Sequence, residues 1–348
     1  MNEGSPRILI VRLSAIGDVV RVVPVLHVLR ETYPDARIDW AVERKSASII
    51  EEHPFLDELH VFERKGSFGN AARDFWAFSR RIRANRYDIV LDFHGILKTG
   101  LLTGISGART RVGFSWPRAQ EGSFLFTNRK VRLSSARLNR VEENLALCSA
   151  VAPKVSWPSI TLYVAPDVQH CVEEYFEEVF DGGKQVVLIH APVDRPEKQW
   201  PLSYYAELAD HLMADGRFEV LLTWGPGQLE LAQEVARLAR RKPVVAPEMP
   251  DLKHYAWLAH LAALYIGGDT GPMHIASAMG TPVVAIFGGT DPAKHAPYRP
   301  PYEVLYHGDP AHPRAHSPAE RLQNITPEMA YDACIRLLSQ NKQPAQTS

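Results

Sequence analysis

Residues 267–291 combine glycines, an acid and a histidine in the pattern of an anion site: GGDTGPMHIASAMGTPVVAIFGGTD. A buried strand is predicted over residues 263–266, and Asp269 and Thr270 can cap the helix predicted over 273–279. Free backbone N–H groups at Thr270 and Gly271 would then face a phosphate or diphosphate. His274, one turn into the helix, could add a donor. The alternative is an ordinary strand–helix–strand crossover that binds nothing.

Asp18, in LSAIGDVV, could act as a base. It follows a strand predicted over residues 7–12, and it is expected to open a helix that continues to about residue 33. A carboxylate at a strand's carboxyl end can accept a proton from a sugar hydroxyl, and the helix start keeps it ionised. Ser14, in the same loop, could hydrogen-bond a substrate. A helix cap for Asp18 and a turn for Ser14 are the structural alternatives.

Two polar residues follow strands in the second half of the chain. Lys198 lies in HAPVDRPEKQWP, after a strand predicted over residues 185–190, where it could neutralise a phosphate. Glu230 follows TWGPGQ, just inside the next predicted helix, and could hold a ribose diol. A solvated lysine and a helix-stabilising glutamate are the alternatives.

Basic residues recur near predicted strand ends in the first half of the chain. Such a group around one site would suit an acidic acceptor, for example a carboxylated or phosphorylated glycan, whereas scattered surface residues would bind nothing. The residues are Arg64, Lys65, Lys98, Arg109, Arg111, Arg118, Arg129, Lys130 and Arg132.

Strands and helices alternate in two series, which predicts an α/β protein with two parallel sheets. Residues 151–159 contain two prolines and are interpreted as the linker, and residues 297–318 as a loop. The predicted domains are residues 1–155 and 156–340, followed by a disordered polar tail at 341–348. Two doubly wound, Rossmann-like domains facing across a cleft would suit an enzyme with two substrates, one per domain.

Composition and missing motifs exclude several classes. A net charge of −1 over 348 residues gives no case for nucleic acid. Three widely spaced cysteines argue against disulfides and favour a reducing cytoplasm, and no run of 18 apolar residues predicts a membrane span. The chain lacks GxGxxG after its first strand, GxxxxGK[ST], GxSxG and HExxH, which argues against a dehydrogenase, a P-loop protein, a serine hydrolase and a zinc protease.

Three stretches, RLSAIGDVV, KQWP and GGDTGPMHIASAMGTPVVAIFGGTDP, resemble the ADP-heptose:lipopolysaccharide heptosyltransferases, glycosyltransferase family 9. The resemblance extends from Ile8 to the last predicted helix, and within the family the chain is most like heptosyltransferase I. It implies a GT-B fold and inverting transfer of L-glycero-D-manno-heptose from ADP-heptose, without metal or cofactor. The implied acceptor is a Kdo-containing lipid A precursor at the cytoplasmic face of the inner membrane, where the enzyme would be peripheral.

The resemblance also implies roles for individual residues. Asp18 matches the catalytic base, and Lys198 matches a phosphate-binding lysine. The donor side further includes Asp269, Thr270, Gly271 and His274, and Glu230 lies near the position of the family's donor-binding glutamate. The acceptor side includes Ser14, Arg64, Lys65 and Lys98. The family's acceptor-site arginine is replaced near Gln120, and Arg118 could substitute for it.

One loop departs from the family pattern, because Pro192 and Val193 stand where heptosyltransferase I members often have two threonines. Three alternatives therefore stay open at this point. They are a related enzyme with another sugar or acceptor, a nucleotide-sugar epimerase, and a nucleotide-sugar-binding protein without activity.

Overall fold

The computed structural model describes residues 5–63, 71–153, 162–180, 182–193, 195–308 and 317–340. Two of the predicted acceptor residues, Arg64 and Lys65, lie outside this set, as do most of the predicted linker and the tail. The chain divides into two compact units, Met1–Tyr163 and Val164–Ser348.

The first unit is a parallel sheet with helices between its strands. Its strands are β1 Arg7–Val11, β2 Arg37–Glu43, β3 Glu58–Phe62, β4 Ile89–Asp92, β5 Thr110–Phe114 and β6 Arg129–Val131. Its helices are α1 Ile16–Val20, α2 Val23–Thr32, α3 Arg44–Ala47, α4 Ala71–Ala84, α5 Leu97–Ile105 and α6 Arg140–Cys148, with a short 3₁₀ helix at Ser123–Leu125.

The strand order β3-β2-β1-β4-β5-β6 places β1 beside β4, with the parallel register Ile8 to Ile89. The chain winds outward from β1 in one direction and then from β4 in the other. Loops at the carboxyl ends of these two strands therefore splay apart, and such a switch point is where doubly wound sheets bind ligands. The helices that follow β1 and β4, α1 and α5, carry Asp18 and Lys98 in their first turns.

The second unit repeats this plan. Its strands are β7 Gln185–His190, β8 Phe218–Thr223, β9 Val244–Val245, β10 Leu264–Gly268, β11 Val283–Phe287 and β12 Tyr302–Tyr306. Its helices are α7 Pro166–Val179, α8 Leu202–Ala214, α9 Leu229–Leu238, α10 Leu252–Leu261, α11 Gly271–Ala278, α12 Pro292–His295, α13 Pro318–Gln323 and α14 Pro327–Gln340, with a 3₁₀ helix at Pro196–Lys198. The order β12-β11-β10-β7-β8-β9 puts the switch point between β7 and β10.

Apolar side chains cover both faces of the second sheet. In β7, Val187 and Ile189 pack into one buried cluster, whereas Val186 and Leu188 pack into the cluster on the opposite face. This alternation follows from the two-residue period of a strand, and burial on both faces explains why the strand is an unbroken apolar run. The α/β class with two doubly wound parallel sheets, predicted from the sequence, is confirmed.

The helix predicted from Asp18 to about residue 33 is wrong. The structure has two helices, α1 and α2, which are separated at Arg21 and Val22. Pro24 lies in the first turn of α2, where its missing N–H breaks no hydrogen bond, but it cannot continue an earlier helix. Asp18 is consequently within the first turn of α1 and is not its capping residue, since Ala15 holds that position.

The loop predicted over residues 297–318 is also partly wrong, because β12 forms there as an edge strand beside β11. Prolines at 300 and 301 precede the strand and did not prevent it. The sequence interpretation further missed β6, α6, α12 and α13. β6, α12 and α13 have three, four and six residues, too few to show a hydrophobic period. α6 is amphipathic, and its capping residues Asn139 and Glu142 were a signal for it in the sequence.

No helix within the described ranges is long and apolar enough to cross a membrane.

Candidate functional site

Asp18 lies between two arginines. Its carboxylate pairs with the guanidinium of Arg12 and, at 3.0 Å, with that of Arg21. Both arginines are buried, whereas the Asp18 side chain is 30% exposed. Asp18 therefore compensates two buried cations while presenting an oxygen-bearing edge to solvent, from which it can reach a substrate hydroxyl.

Arg12 ties this acid to the sheet. It is the first residue after β1, and its Nη1 donates to the carbonyl of Phe93, at the end of β4, over 2.9 Å. The indole of Trp40 donates to the Arg12 carbonyl over 3.1 Å. Burial lowers the pKa of Arg12, and the charge of Asp18 opposes that shift. The ion pair is thus built into the β1–β4 switch point, so its geometry is set by the sheet.

His94, directly after β4, forms the centre of a basic group. Burial lowers the pKa of its imidazole to about 3, and the positive charge of Arg12 adds to this effect. Arg118 donates to the His94 carbonyl over 3.3 Å and pairs with Glu143 at 2.7 Å. His94 is therefore neutral at physiological pH, and its ring can accept or donate one hydrogen bond but carries no charge.

Lys98, in the first turn of α5, is held by two neighbours. Its ammonium pairs with Glu43 at 2.7 Å and lies 4.2 Å from the centre of the Phe62 ring. Its charge is also felt at His94. Of the predicted acceptor residues, the structure brings Lys98 and Arg118 to the same strand ends as Asp18; Ser14 lies half-buried in the loop between β1 and α1.

In the second unit, Asp269 is the centre of a polar cluster at the β7–β10 switch point. Its Oδ2 accepts from the ammonium of Lys198 at 2.8 Å and from the hydroxyl of Thr290 at 2.7 Å. Its Oδ1 lies 3.8 Å from Nε2 of His274. The loops after β7, β10 and β11 therefore converge on one carboxylate that is only 7% exposed.

Burial alone would raise the pKa of Asp269, but the nearby His274 and Lys198 outweigh it and hold the pKa well below its usual range. The carboxylate is therefore ionised, and it holds the ammonium of Lys198 by a charged hydrogen bond. Lys198 is itself in the 3₁₀ helix at Pro196–Lys198, and the following Trp200 is fully buried, with its indole donating to the Ile325 carbonyl over 2.9 Å.

The predicted capping of α11 by Asp269 and Thr270 is wrong. Neither side chain caps the helix; Thr270 holds the capping position, but its hydroxyl donates back to the Gly268 carbonyl over 3.4 Å. Asp269 turns instead towards Lys198. Pro272 is within the first turn, and Gly280, at φ +86°, follows the helix end. The first turn of α11 thus presents backbone N–H groups next to the Asp269 cluster, where an anion can bind.

Glycine is required at the end of β10, where this strand passes close to β7 and to the loop that follows β7. A Cβ on Gly267 would be 2.5 Å from the Tyr265 hydroxyl and 2.7 Å from the His190 carbonyl. One on Gly268 would be 3.1 Å from the side chain of Val193. The Gly-Gly pair therefore lets the end of β10 pack closely against β7 and the loop after β7. This packing explains the two glycines without any ligand.

Glu230 is exposed in the first turn of α9, after β8. Among the described residues, no hydrogen bond or ion pair joins it to the Asp269 cluster. The neighbouring Gln228 accepts from the Gly225 N–H over 3.1 Å, which closes the turn between β8 and α9. The predicted ribose contact of Glu230 therefore stays a prediction.

His190 is the last residue of β7, close to the Asp269 cluster. Its burial should make the stability of the fold depend on pH. Burial lowers the pKa of His190 to about 3, and its Nδ1 lies 3.0 Å from the Thr223 hydroxyl. The unfolded chain binds a proton near pH 6.5 and the folded chain does not, so stability is complete above that pH and is lost as the pH falls towards 3. We expect this residue to cost about 2 kcal/mol of unfolding free energy between pH 7.5 and pH 5.

The variant His190→Gln removes the titrating group, so its unfolding free energy, measured by urea denaturation at both pH values, should decrease less on acidification than that of the wild type. An equal decrease in both proteins would assign the acid sensitivity to other groups. The comparison uses the difference between two pH values, so a uniform loss of stability in the variant does not affect it.

Carboxylates and histidines that could hold a metal occur elsewhere in the described ranges. One group is Asp39, Glu58 and His60, and another is Glu207, His211 and Glu328. Neither group contains a predicted site residue. In the first, Asp39 is already bonded to Arg37 and to the hydroxyl of Tyr87.

Sequence reasoning missed the partners that hold the predicted residues. They are Arg12, Arg21, Glu43, His94, Glu143 and Thr290. A signal was present for Arg12, because an arginine at the end of an apolar strand requires a nearby acid. Thr290 lies 21 positions after Asp269, with α11 and β11 between them, and the loop at residues 288–291 that contains it follows the strand next to β10.

Comparison with known proteins places this chain in a family. Residues 75–324, well over half of the chain, match the model of glycosyltransferase family 9 (heptosyltransferase). The lipopolysaccharide core heptosyltransferase OpsX of Haemophilus influenzae is 24% identical over 85% of this chain and 83% of its own. Lipopolysaccharide heptosyltransferase 1 of Escherichia coli K12 is 28% identical over 82% of this chain and 89% of its own.

The solved structure of E. coli heptosyltransferase WaaC with ADP matches with a TM-score of 0.74 at 25% identity, covering 96% of this chain and 99% of that one. The likeness confirms the predicted GT-B type of fold. The resemblance noted in the sequence is confirmed by the family model, which also favours a transferase over the epimerase and over a protein without activity. The chain is a glycosyltransferase and belongs to glycosyltransferase family 9.

Proposed function

We propose that this protein transfers L-glycero-D-manno-heptose from ADP-heptose to a Kdo-containing inner-core lipopolysaccharide acceptor, with inversion and without a metal ion. The observation that carries the proposal is the Asp269 cluster at the β7–β10 switch point, which orients a lysine beside the start of α11. That arrangement supplies a cation and backbone N–H groups for a diphosphate. The E. coli relative whose structure contains ADP supports a nucleoside diphosphate as the leaving group.

The role of Asp269 follows from its charge. A carboxylate repels a diphosphate, so direct contact between the two would be unfavourable. Asp269 instead acts through Lys198, whose ammonium it holds at 2.8 Å, and it lies 3.8 Å from Nε2 of His274. Lys198, which is 19% exposed, is the side chain that reaches the phosphates, and Thr290 keeps the carboxylate turned towards it.

The first unit supplies the base and the acceptor contacts. Asp18 takes the proton of the acceptor hydroxyl, because it is ionised and partly exposed. Lys98 and Arg118 lie at adjacent strand ends, where their charges suit the carboxylate of a Kdo residue. Both are held by acids, Glu43 and Glu143, which limits their motion and pre-orients them.

The reaction is a direct displacement. The acceptor oxygen attacks the anomeric carbon of the heptose as Asp18 accepts its proton, and the bond to the ADP oxygen breaks on the opposite face. Negative charge grows on the leaving diphosphate, where Lys198 and the first turn of α11 stabilise it. A single preorganised donor of this type contributes on the order of 3 kcal/mol to the transition state. Because lysine and backbone N–H groups supply this stabilisation, the step as proposed needs no metal.

The acceptor is assigned by its chemistry and by the relatives, which bear the names of lipopolysaccharide heptosyltransferases. These relatives carry different designations, so a first and a second heptose are both compatible with the comparisons. We favour the first, because a Kdo acceptor supplies the carboxylate that the basic group around His94 suits. The protein then works at the cytoplasmic face of the inner membrane, where a lipid-linked acceptor would be reached.

Release of ADP tests the proposal. Purified protein is incubated with ADP-heptose alone, with ADP-heptose and a Kdo-bearing acceptor, and with the acceptor that already carries one heptose. The proposal predicts ADP release that requires the Kdo acceptor. Conversion of ADP-heptose to an epimer in the absence of acceptor would overturn it, and release only with the heptosylated acceptor would assign the second heptose.

A further inference from the structure

An edge of the first unit carries exposed apolar side chains that the transfer reaction does not use. Trp116 is 74% exposed and Leu125 72%, and both lie in the crossover between β5 and β6. Leu97, at the start of α5, is 43% exposed. Large apolar side chains occur singly on most surfaces, so two in one crossover, with a third on α5, call for an explanation.

Contacts place these side chains next to exposed cations. Ser115 donates its N–H to the Val131 carbonyl over 2.9 Å, which sets Trp116 beside the chain at Arg132. The ammonium of Lys130 lies 5.9 Å from the ring centre of Phe124, the residue before Leu125. We call this set, which borders the edge strand β6, the β6-edge patch. It comprises Leu97, Trp116, Leu125, Lys130 and Arg132.

Leu97 joins the same surface through the crossover. Its N–H donates to the carboxylate of Glu121 over 3.1 Å, and a Cβ at the next residue, Gly122, would be 3.7 Å from Leu125. Glu121 thereby brings the start of α5 to the turn that carries Leu125. Leu97 and Leu125 consequently belong to one region of the unit's surface, and Trp116 precedes that turn in the same crossover.

The charge of this region differs from that of the chain as a whole. Residues 109–132 contain six arginines or lysines and one acid, Glu121, although the net charge of the protein is −1. Four of the six are exposed, and two of the exposed ones, Lys130 and Arg132, belong to the β6-edge patch. The two remaining basic residues, Arg111 and Arg118, are half-buried. The region therefore combines strong positive charge with apolar side chains.

We propose that the β6-edge patch binds the surface of an anionic lipid bilayer. Tryptophan and leucine insert at the level of the headgroups, where an amphipathic ring is stable, while lysine and arginine pair with anionic lipids. Each such cation near an anionic surface contributes about fivefold in binding. A protein partner is less favoured, because lysine is depleted at the cores of protein interfaces.

The patch lies beside the proposed acceptor group, so membrane binding there would help the transfer reaction. This part of the inference rests on the proposed function. Arg118 is two residues beyond Trp116 and donates to the His94 carbonyl, so the patch continues into the proposed acceptor group. A lipid-linked sugar whose acyl chains stay in the bilayer would present its head beside Arg118. The patch would thus raise the local concentration of acceptor without touching the reacting atoms.

Vesicle sedimentation tests the surface separately from the chemistry. The full chain is mixed with vesicles of phosphatidylglycerol and phosphatidylethanolamine, or of phosphatidylcholine alone. We expect the wild type to bind the anionic vesicles, and the double variants Trp116→Ala/Leu125→Ala and Lys130→Gln/Arg132→Gln to bind them at least tenfold more weakly. Two matched controls change exposed residues of the second unit, Leu238→Ala/Met329→Ala and Arg240→Gln/Arg241→Gln, and should bind as the wild type does.

Activity on a delipidated, water-soluble Kdo acceptor is measured on the same variants and should be unchanged, whereas transfer to acceptor embedded in anionic vesicles should decrease. The inference would be overturned if the wild-type protein did not bind anionic vesicles, or if the patch variants bound them as tightly as the controls do. If neither the wild type nor any variant transferred heptose to the soluble acceptor, the proposed function would be overturned instead. The vesicle assay would then still show whether the β6-edge patch binds membranes.

Discussion

Replacing Asp18 by asparagine should lower the rate of transfer by about 10²- to 10⁴-fold, the usual contribution of a positioned proton acceptor. Asparagine has nearly the same shape, so substrates still fit, but its amide cannot take the acceptor's proton. Because ADP-heptose is proposed to bind in the second unit, its dissociation constant should change little. The measurement is kcat for the Kdo acceptor together with calorimetric binding of ADP.

The same substitution removes a charge that compensates two buried arginines, Arg12 and Arg21, and it should cost about 1–3 kcal/mol of unfolding free energy. The control is Asp57→Asn, which breaks another aspartate–arginine pair of this unit, with Arg30 at 2.9 Å, at the opposite ends of the strands. Full activity in Asp57→Asn excludes a general effect of destabilisation. Unchanged transfer in Asp18→Asn would show that the base is another group.

Replacing Lys198 by glutamine should lower kcat/KM for ADP-heptose by about 10²- to 10³-fold. The ammonium is the only charge that we assign to the phosphates, and glutamine offers a weaker donor in its place. Loss of the cation also leaves Asp269, which is 7% exposed, with less compensation, so stability should fall as well. Initial rates at varied ADP-heptose and thermal unfolding measure the two effects.

A second variant separates phosphate binding from pairing with Asp269. Lys198→Gln/Asp269→Asn removes the uncompensated carboxylate, so it should recover stability while kcat/KM stays low. Lys184→Gln is the matched control, since Lys184 lies just before β7 and pairs with Glu219 at 3.6 Å. Recovery of activity in the double variant would mean that Lys198 only neutralises Asp269 and does not contact the donor.

The sequence was sufficient to predict both sheets, because their central strands are apolar on both faces and stand between amphipathic helices. The strand predicted over residues 185–190 matches β7 to the residue. The edge strands of the sheets were harder to predict. β6 is the tripeptide Arg-Lys-Val, which has neither alternation nor length, and only its pairing with β5 makes it a strand.

Residue types and position relative to strands were sufficient to nominate Asp18, Lys198 and Asp269, but not to say what each contacts. Asp269 was expected to cap α11 and instead binds Lys198, which is 71 residues earlier in the chain. A local rule favours the cap, whereas the tertiary fold offers a buried aspartate a full charge, and the charged hydrogen bond is the stronger interaction. Contacts of this kind depend on strand order, which the local sequence does not encode.

Mass spectrometry of the reaction product tests the central claim most directly. Purified protein is incubated with ADP-heptose and a defined Kdo-lipid A, and the lipid product is isolated and its mass and new glycosidic linkage are determined. The account predicts the addition of one heptose to the Kdo residue, with an anomeric configuration that NMR shows to be inverted, and formation of this product by Asp18→Asn about 10²- to 10⁴-fold more slowly. A lipid that gains no heptose, although the protein binds ADP-heptose, would contradict it.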